Sequence, residues 1–473
     1  MTIFSEALKR KIEGTGMTVY NLAKKAGLNR PMIHKSQQGD KIPSDDFIKK
    51  LSKAMMLTHG ETEELLQLAA RSRMGEALYL RRQAVMEVIA CLCHEFDALD
   101  IVQLRKEKKR DINLGQNRII KDSNQIKSYL IRMICDAPKE QQLFVKLPEW
   151  AKEYYGIIYH LWSAEESEGI HLTQMIGLEK EYNDVASAAR NLKLLSYAIN
   201  FSLVENREFD AFFHYLEYPE KPELPSFPYY VKNDTGVLAI AADLNTALYY
   251  PQGEMYDLYN SIITVMMDES EPLIEFVDNI DNICDYGDNV SLIEGIPCIS
   301  AVVTDEMVES VVNDIDGRAY IVNTVLKLYH QRQSEDSHPD SFFHLDRLEQ
   351  FMMDGMIPSI SPYYMHAFTP EQRYIILKKY RDFIEGDEKI RYHALNPKKL
   401  RLAVDAEVVY SKDQGVEIRQ TKKAAPFLKF IWIREPSCVE AFRDFYRYLP
   451  TSDLVLSKEE TLAAMDALLE KYK

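Results

Sequence analysis

Long apolar segments are missing from this 473-residue sequence, and its cysteines are few. No segment approaches the ~18 consecutive apolar residues that a membrane-spanning helix needs. The segment Met1–Glu6 has neither a basic start nor an apolar stretch, so we expect no secretory signal. Six cysteines in a chain of this length do not form a disulfide framework, and they suit a reducing compartment. We therefore expect a cytoplasmic protein with no membrane partner.

Sequence motifs for catalysis and cofactor binding are missing as well. The chain contains no glycine-rich phosphate loop, no HExxH or GxSxG sequence and no paired CxxC. It also lacks a repeat of the tetratricopeptide type, which peptide-sensing regulators use. We predict that the protein binds no cofactor and is not an enzyme.

Two clusters contain metal-binding residue types without favouring a metal site. In the first, Cys91-Leu92-Cys93-His94, helical spacing puts Cys91 and His94 on one face but Cys93 on another, and no second ligand pair follows. The second cluster consists of His338, Asp340, His344 and Asp346. Its composition is also that of a loop leading into a helix. We interpret the first as core packing and the second as a loop, and predict no bound metal.

The charge of the chain is strongly acidic but unevenly distributed. There are 57 basic and 73 acidic side chains, for a formal net charge of −16. The first 75 residues hold 13 of the basic and 8 of the acidic residues, a net charge of +5, which leaves −21 for residues 76–473. A basic segment attached to an acidic body is a reason to look for a nucleic-acid-binding module at the basic end.

Apolar residues recur at helical spacing in five short segments of residues 1–75. Side chains that commonly cap helix starts precede three of them: Thr18, Asn29 and Ser44. Glycines that commonly end helices follow the second and third segments, at Gly27 and Gly39. We predict five helices, beginning near residues 3, 18, 29, 44 and 61, the last ending near residue 71.

Two short helices joined by a tight glycine-containing turn make up a helix-turn-helix. The segment Met17–Ile33, MTVYNLAKKAGLNRPMI, resembles the helix-turn-helix of the XRE family, the Cro and phage-repressor type. The resemblance covers residues 3–70, about a seventh of the chain. Val19, Pro31 and Gln37 depart from residues that are usual in this family.

The resemblance implies that residues 29–38, which begin at Asn29, form a recognition helix in the major groove of operator DNA. Arg30, Met32 and Lys35 are then expected nearest the base edges, where Arg and Lys suit guanine and Met suits a thymine methyl group. Thr18, Gln38 and Lys41 are expected near phosphates.

The remainder of the chain has no recognised resemblance. Residues 76–97 and most of residues 119–217 have helical patterns, and the prolines of Pro219–Pro228 mark a boundary. Three strand patterns and a helical pattern follow in residues 229–267, and this β-β-β-α order recurs in residues 402–448. We hypothesise that the unit is duplicated and that two such sheets pair around a ligand cleft.

The predicted fold is multidomain, mainly α with α+β. Residues 1–75 form a five-helix DNA-binding domain, and residues 76–218 a helical linker and dimerisation region. Residues 219–380 form an α+β sensor domain, and residues 381–473 a C-terminal α+β domain.

The predicted function is that of a bacterial, sequence-specific transcriptional regulator. Its partners are double-stranded operator DNA, a second copy in a homodimer, and a small-molecule or peptide effector. One alternative is a protein-interaction module, such as an antitoxin or adaptor, that uses the helical bundle on a protein partner. A second is an enzyme with a DNA-targeting head.

Overall fold

A computed structural model describes most of the chain. The described residues are 2–92, 96, 112–136, 140–180, 185–204, 207–216, 227–277, 290–299, 302–332, 340–357, 360–387, 389, 391–400, 406–420 and 429–473. They form a mixed α and β protein of two compact units. Unit 1 is Met1–Gln83 with Asn183–Ala186, and unit 2 is Ala84–Tyr182 with Ser187–Lys473.

Unit 1 contains five helices before residue 75: α1 (Ile3–Gly14), α2 (Val19–Ala26), α3 (Arg30–Gln38), α4 (Asp45–Met55) and α5 (His59–Met74). The predicted caps explain these boundaries. The side chains of Thr18 and Ser44 accept hydrogen bonds from the first turns of α2 and α4. Gly27 and Gly39 adopt the left-handed conformation directly after α2 and α3.

A small hydrophobic core holds these five helices together. Phe4 of α1, Leu22 of α2, Ile33 of α3 and Leu65 of α5 are fully buried in it. Burying a side chain of this size stabilises the fold by ~1.5–3 kcal/mol. Each helix therefore has one buried face, and its opposite face is left to solvent.

The chain continues with eleven further helices in the described residues: α6 (Glu76–Cys91), α7 (Ser123–Cys135), α8 (Lys152–Trp162), α9 (Val185–Ser202), α10 (Glu254–Asp268), α11 (Asp305–Val311), α12 (Arg318–Arg332), α13 (Leu345–Asp354), α14 (Pro370–Gly386), α15 (Pro436–Tyr448) and α16 (Lys458–Lys471). None of the helices in the described part of the chain combines the length and hydropathy that a membrane span requires.

Unit 2 is built on two mixed sheets. Sheet A contains β1 (Arg118–Ile120), β2 (Gln142–Lys146), β3 (His171–Glu179), β4 (Phe209–Leu216), β5 (Tyr229–Asn233), β6 (Gly236–Ile240), β7 (Ala247–Pro251) and β8 (Glu271–Pro272). Sheet B contains β9 (Glu275–Val277), β10 (Val290–Glu294), β11 (Asp340–Phe343), β12 (Tyr392–Ala394), β13 (Ala406–Ser411), β14 (Gly415–Gln420) and β15 (Lys429–Ile433).

The two sheets share one topology. In sheet A, β2, β3 and β4 are parallel neighbours, and the antiparallel meander β5-β6-β7 lies beside β2. In sheet B, β10, β11 and β12 are parallel neighbours, and the antiparallel meander β13-β14-β15 lies beside β10. A helix follows each meander, α10 in the first case and α15 in the second.

Side chains from both sheets contribute to one large hydrophobic core. Leu172 and Val231 of sheet A, and Val408 and Ile418 of sheet B, belong to it. The hydroxyl group of Tyr215 at the end of β4 donates to the Glu435 carboxylate before α15, with an O···O distance of 2.9 Å. The two sheets are therefore parts of one compact unit.

The structure corrects the prediction of a helical region at residues 76–218. Four strands of sheet A, β1 to β4, lie in it. The strand β3 is buried on both faces over most of its length, so its apolar residues need not alternate with polar ones. Leu172, Met175 and Ile176 are spaced i, i+3 and i+4, which is a helical pattern.

The predicted domain boundaries at residues 218 and 380 also differ from the structure. The first separates β4 from β5 although both belong to sheet A, and the second separates β11 from β12 in sheet B. Each sheet pairs strands that are distant in the sequence. Local composition does not show which strands pair, so it could not give these domain boundaries.

Candidate nucleic-acid interface

Helices α2 and α3 form a short, tightly connected pair in unit 1. Only three residues separate them, and the first, Gly27, has φ 65° and ψ 33°, a left-handed conformation that glycine adopts without steric cost. Leu22 and Ile33 anchor the two helices in the core, each fully buried. The opposite faces of both helices are exposed as a consequence.

The exposed face of α3 carries three of the seven residues that were predicted to reach DNA. Arg30, Lys35 and Gln38 are exposed, whereas Met32 is half-buried and lies at the border of this face. The sequence-based prediction missed His34, which is exposed one turn after Arg30. The Arg30 Nε donates a hydrogen bond to the His34 Nε2 at 3.3 Å. Because residues four apart share a helix face, this spacing is the signal that could have identified His34.

Thr18 and Asn29 lie at the amino ends of α2 and α3. The Thr18 hydroxyl accepts a hydrogen bond from the Asn21 N–H at 3.3 Å, which leaves its own proton available to donate. Asn29 occupies the N-cap position of α3, but the predicted capping hydrogen bond from its side chain is not made. Both residues are exposed.

The charge around α2 and α3 has a single sign. From Gly14 to Gly39 the sequence contains four basic residues and no acidic one. Those four, together with Lys41, make a set of five exposed cations: Lys24, Lys25, Arg30, Lys35 and Lys41. Within the described residues, the ion pairs of unit 1 include none of these five.

Four of the eight acidic residues in residues 1–75, Asp45, Asp46, Glu61 and Glu64, are engaged by basic residues of α1, α4 and α5. Glu61 of α5 binds Lys11 with an N···O distance of 2.9 Å, and Asp45 and Asp46 of α4 bind Arg73 and Lys50. Hydrogen bonds from Thr58, and then the Lys11 ammonium group, lower the pKa of Glu61 to about 2. These ion pairs offset none of the five cations, although Lys9 and Arg10 of α1 and Lys49 and Lys53 of α4 are also exposed and outside the ion pairs described for unit 1.

The amino ends of α2 and α3 add to this positive potential. Neither helix has an acidic residue in its first turn, whereas α1, α4 and α5 each have at least one. The exposed N–H groups of a helix start carry a partial positive charge that an acidic side chain would offset. Uncompensated helix starts are suited to contacts with phosphate groups.

The structure brings together no metal ligands in the parts of the chain that it describes. His344 is buried at the start of α13, and the pKa of its imidazole is lowered to about 4, mainly by burial. Asp346 is largely exposed, and its Oδ1 lies 4.0 Å from the His344 Nδ1. The Cys91 thiol donates to the Val88 carbonyl oxygen. His338, Cys93 and His94 lie outside the described residues.

A polar cavity of about 410 Å³ lies at the amino-terminal edge of β2, β3 and β4. Gln141 lines it, 3% exposed, with both amide atoms lacking a hydrogen-bond partner. His171 and Arg207 also line the cavity, and the His171 Nε2 lies 2.8 Å from the Asp210 Oδ2. Polar side chains make up most of its lining.

Comparisons with known proteins do not assign a family to the chain. No protein-family model and no curated protein matches it. A solved structure of phosphatidylserine synthase from Haemophilus influenzae Rd KW20 aligns with 78% of this chain and 96% of that chain, at 11% identity and a TM-score of 0.25. A similarity at this level establishes neither a shared fold nor a shared activity.

Proposed function

We propose that the protein is a sequence-specific DNA-binding regulator of transcription, in which α2 and α3 act as a helix-turn-helix of the XRE type. The observation that carries this proposal is the surface of α2 and α3, with five exposed cations outside any described ion pair of unit 1 and no acidic residue from Gly14 to Gly39. Such a surface attracts the DNA backbone, which dominates the affinity of protein–DNA complexes.

In this proposal α3 lies in the major groove. Arg30 and Lys35 read guanine edges, and the half-buried Met32 contributes at the border of the contact. Thr18, Asn29, Gln38 and Lys41 hold the backbone, and the amino ends of α2 and α3 face phosphates. A head of this size contacts few base pairs, so two heads on half-sites about 34 Å apart are needed for useful affinity.

The test selects binding sites from fragmented genomic DNA with the full-length chain and sequences the captured fragments. Affinity for the enriched sites is then measured by fluorescence anisotropy for the wild type and for Arg30→Ala with Lys35→Ala. We expect the double variant to bind at least 30-fold more weakly, because each lost base contact costs about 1–3 kcal/mol.

The control variant is Lys11→Ala with Lys50→Ala, which removes the same net charge from unit 1. Both lysines are engaged by carboxylates, Lys11 by Glu61 and Lys50 by Asp46, so we expect wild-type affinity. Equal affinity of all three proteins for DNA, or a failure to enrich any site, would argue against a regulator. That result would favour the alternative in which the helical bundle binds a protein, as in an antitoxin or adaptor.

A further inference from the structure

Helix α10 has two apolar faces, and the described part of the chain covers one of them. The inner face packs on sheet A through Tyr259 and Ile263, and Tyr230 of β5 contacts the ring of Tyr259 at 5.8 Å between centroids. The outer face carries four exposed apolar side chains, which we call the α10 stripe: Met255 (38% exposed), Leu258 (50%), Ile262 (40%) and Val265 (57%).

The corresponding helix of sheet B shows that this exposure is particular to α10. Helix α15 follows the meander of sheet B in the same way, but Cys438, Ala441, Phe442 and Phe445 are all fully buried in the large core. These four residues form one face of α15, and the opposite face is charged, with Glu440, Arg443, Asp444 and Arg447. The two helices therefore differ in the chemistry of the outer face, which is charged in α15 and apolar in α10.

The spacing of the α10 stripe is that of a helix-pairing seam. Its members are three, four and three residues apart, as at successive a and d positions of a coiled coil. The helix has 15 residues and is therefore about 22 Å long, so the stripe extends over roughly three turns. Exposed apolar side chains in one line along a helix bury best against another helix.

The centre of α10 carries no charge, which permits a second copy of the same helix as the partner. Between Asp257 and Asp268 there is no charged residue, so no repulsion arises at the centre when two copies meet. A partner selected by charge would require a charged seam, and this one is neutral. The acidic residues Glu254, Asp257 and Asp268 stand towards the two helix ends, so basic residues of the second copy are needed there to offset them.

The apolar surface extends onto the edge of sheet A. In the row of cross-strand neighbours Tyr230, Ala239, Leu248 and Ile119, all four side chains lie on the face of the sheet that carries α10. Ile119, on the edge strand β1, is 70% exposed. Arg118 and Lys121 beside it are exposed and can meet the acidic ends of a second α10.

The size of this surface indicates a weak dimer. The four side chains of the α10 stripe expose on the order of 300 Å² together, which is the size of the largest apolar patches on monomeric proteins. A stable interface buries about 800 Å² on each partner, and the stripe reaches that range only with Ile119 and the polar residues around it. We therefore expect a dissociation constant in the micromolar range.

From these observations we infer that two copies of the protein associate through the α10 stripe. The inference rests on the proposed function for its biological role, since a dimer presents two DNA-binding heads to two half-sites. The association itself is a property of unit 2, and it can be measured without DNA.

The experiment is sedimentation velocity of the full-length chain from 1 to 100 µM without DNA. We expect a reversible monomer–dimer equilibrium, with a dissociation constant at least tenfold higher for Ile262→Glu, which places two carboxylates opposite each other at the centre of the seam. Met353→Glu is the matched control, because Met353 is an exposed apolar residue on helix α13 (61% exposed), and it should dimerise as the wild type does.

A second measurement covers the case in which Ile262→Glu is unstable. Ser261→Cys introduces an exposed cysteine near the middle of the stripe and should give a disulfide-linked dimer under mild oxidation that the wild type does not give. A wild type that stays monomeric at 100 µM, or an Ile262→Glu protein that dimerises like Met353→Glu, overturns the inference. A dimer that forms normally but binds no DNA refutes the proposed function and leaves this interface standing.

Discussion

The salt dependence of DNA binding is the most direct quantitative consequence of the α2–α3 surface. Five exposed cations are available on each head, namely Lys24, Lys25, Arg30, Lys35 and Lys41. If Lys24, Lys25 and Lys41 contact phosphates while Arg30 and Lys35 read base edges, the logarithm of affinity falls with the logarithm of salt concentration with a slope of about −2.7 for one head and about −5.4 for two. Between 50 and 200 mM salt, the affinity of a two-headed complex then falls by roughly 2 × 10³-fold.

Removal of one cation tests this reasoning. Lys41→Ala should reduce the slope by about 0.9 for each bound head, because one fewer counterion is released per contact. Lys50→Ala should leave the slope unchanged, because Lys50 is engaged by Asp46 on α4, with an N···O distance of 2.7 Å. Both substitutions remove the same charge, so a general effect of net charge would change the two slopes equally.

The assay is fluorescence anisotropy of a labelled operator fragment at five salt concentrations for each protein. A wild-type slope close to zero would refute the assignment of the α2–α3 surface to DNA. Equal slopes for Lys41→Ala and Lys50→Ala would show that the salt dependence arises from net charge and not from a contact between Lys41 and a phosphate. The slope of the two-headed complex also reports whether one head or two are bound.

Two further predictions concern stability. Burial lowers the pKa of His344 from 6.5 to about 4, so between these pH values the unfolded chain takes up a proton that the folded chain does not. The free energy of unfolding should therefore fall by at most about 3 kcal/mol as the pH decreases from 6.5 to 4. Urea unfolding at several pH values should show a weaker pH dependence for His344→Leu. Gly236→Ala should destabilise unit 2 by about 3 kcal/mol, because the new Cβ lies 2.5 Å from the Tyr249 hydroxyl oxygen and 2.7 Å from the Tyr250 carbonyl oxygen. Gly27→Ala should destabilise unit 1 by only about 1–2 kcal/mol, because the new Cβ meets no atom within 4 Å and only the left-handed backbone opposes it. Hydrogen exchange measures the stability of each unit separately, and equal losses of stability for the two substitutions would contradict the argument.

Local signals in the sequence predicted the helix boundaries of unit 1 well. Thr18, Ser44, Gly27 and Gly39 act on the residues directly beside them, through a capping hydrogen bond or a left-handed backbone. The capping box that begins with Thr369 at the start of α14 is a local effect of the same kind. Such effects depend on neighbours three or four residues away, so they can be predicted without knowledge of the tertiary structure.

The candidate site was predicted less completely. The exposed positions of Arg30 and Lys35 agree with the prediction, but the half-burial of Met32, the free side chain of Asn29 and the exposure of His34 were not foreseen. Each of these depends on how α3 is rotated against the core. That rotation is decided by the packing of Ile33 against the other helices, and a helical pattern constrains it only loosely.

The basic character of the first 75 residues, the acidic character of the remainder and the helix caps follow from the sequence alone, because charge and local hydrogen bonding need no distant partner. Only the tertiary structure decided that β2 lies beside β5 and β10 beside β13, because strand pairing joins residues far apart in the chain. The same is true of the two apolar faces of α10. The sequence shows that both are apolar, but only the packed sheet shows which of them is covered.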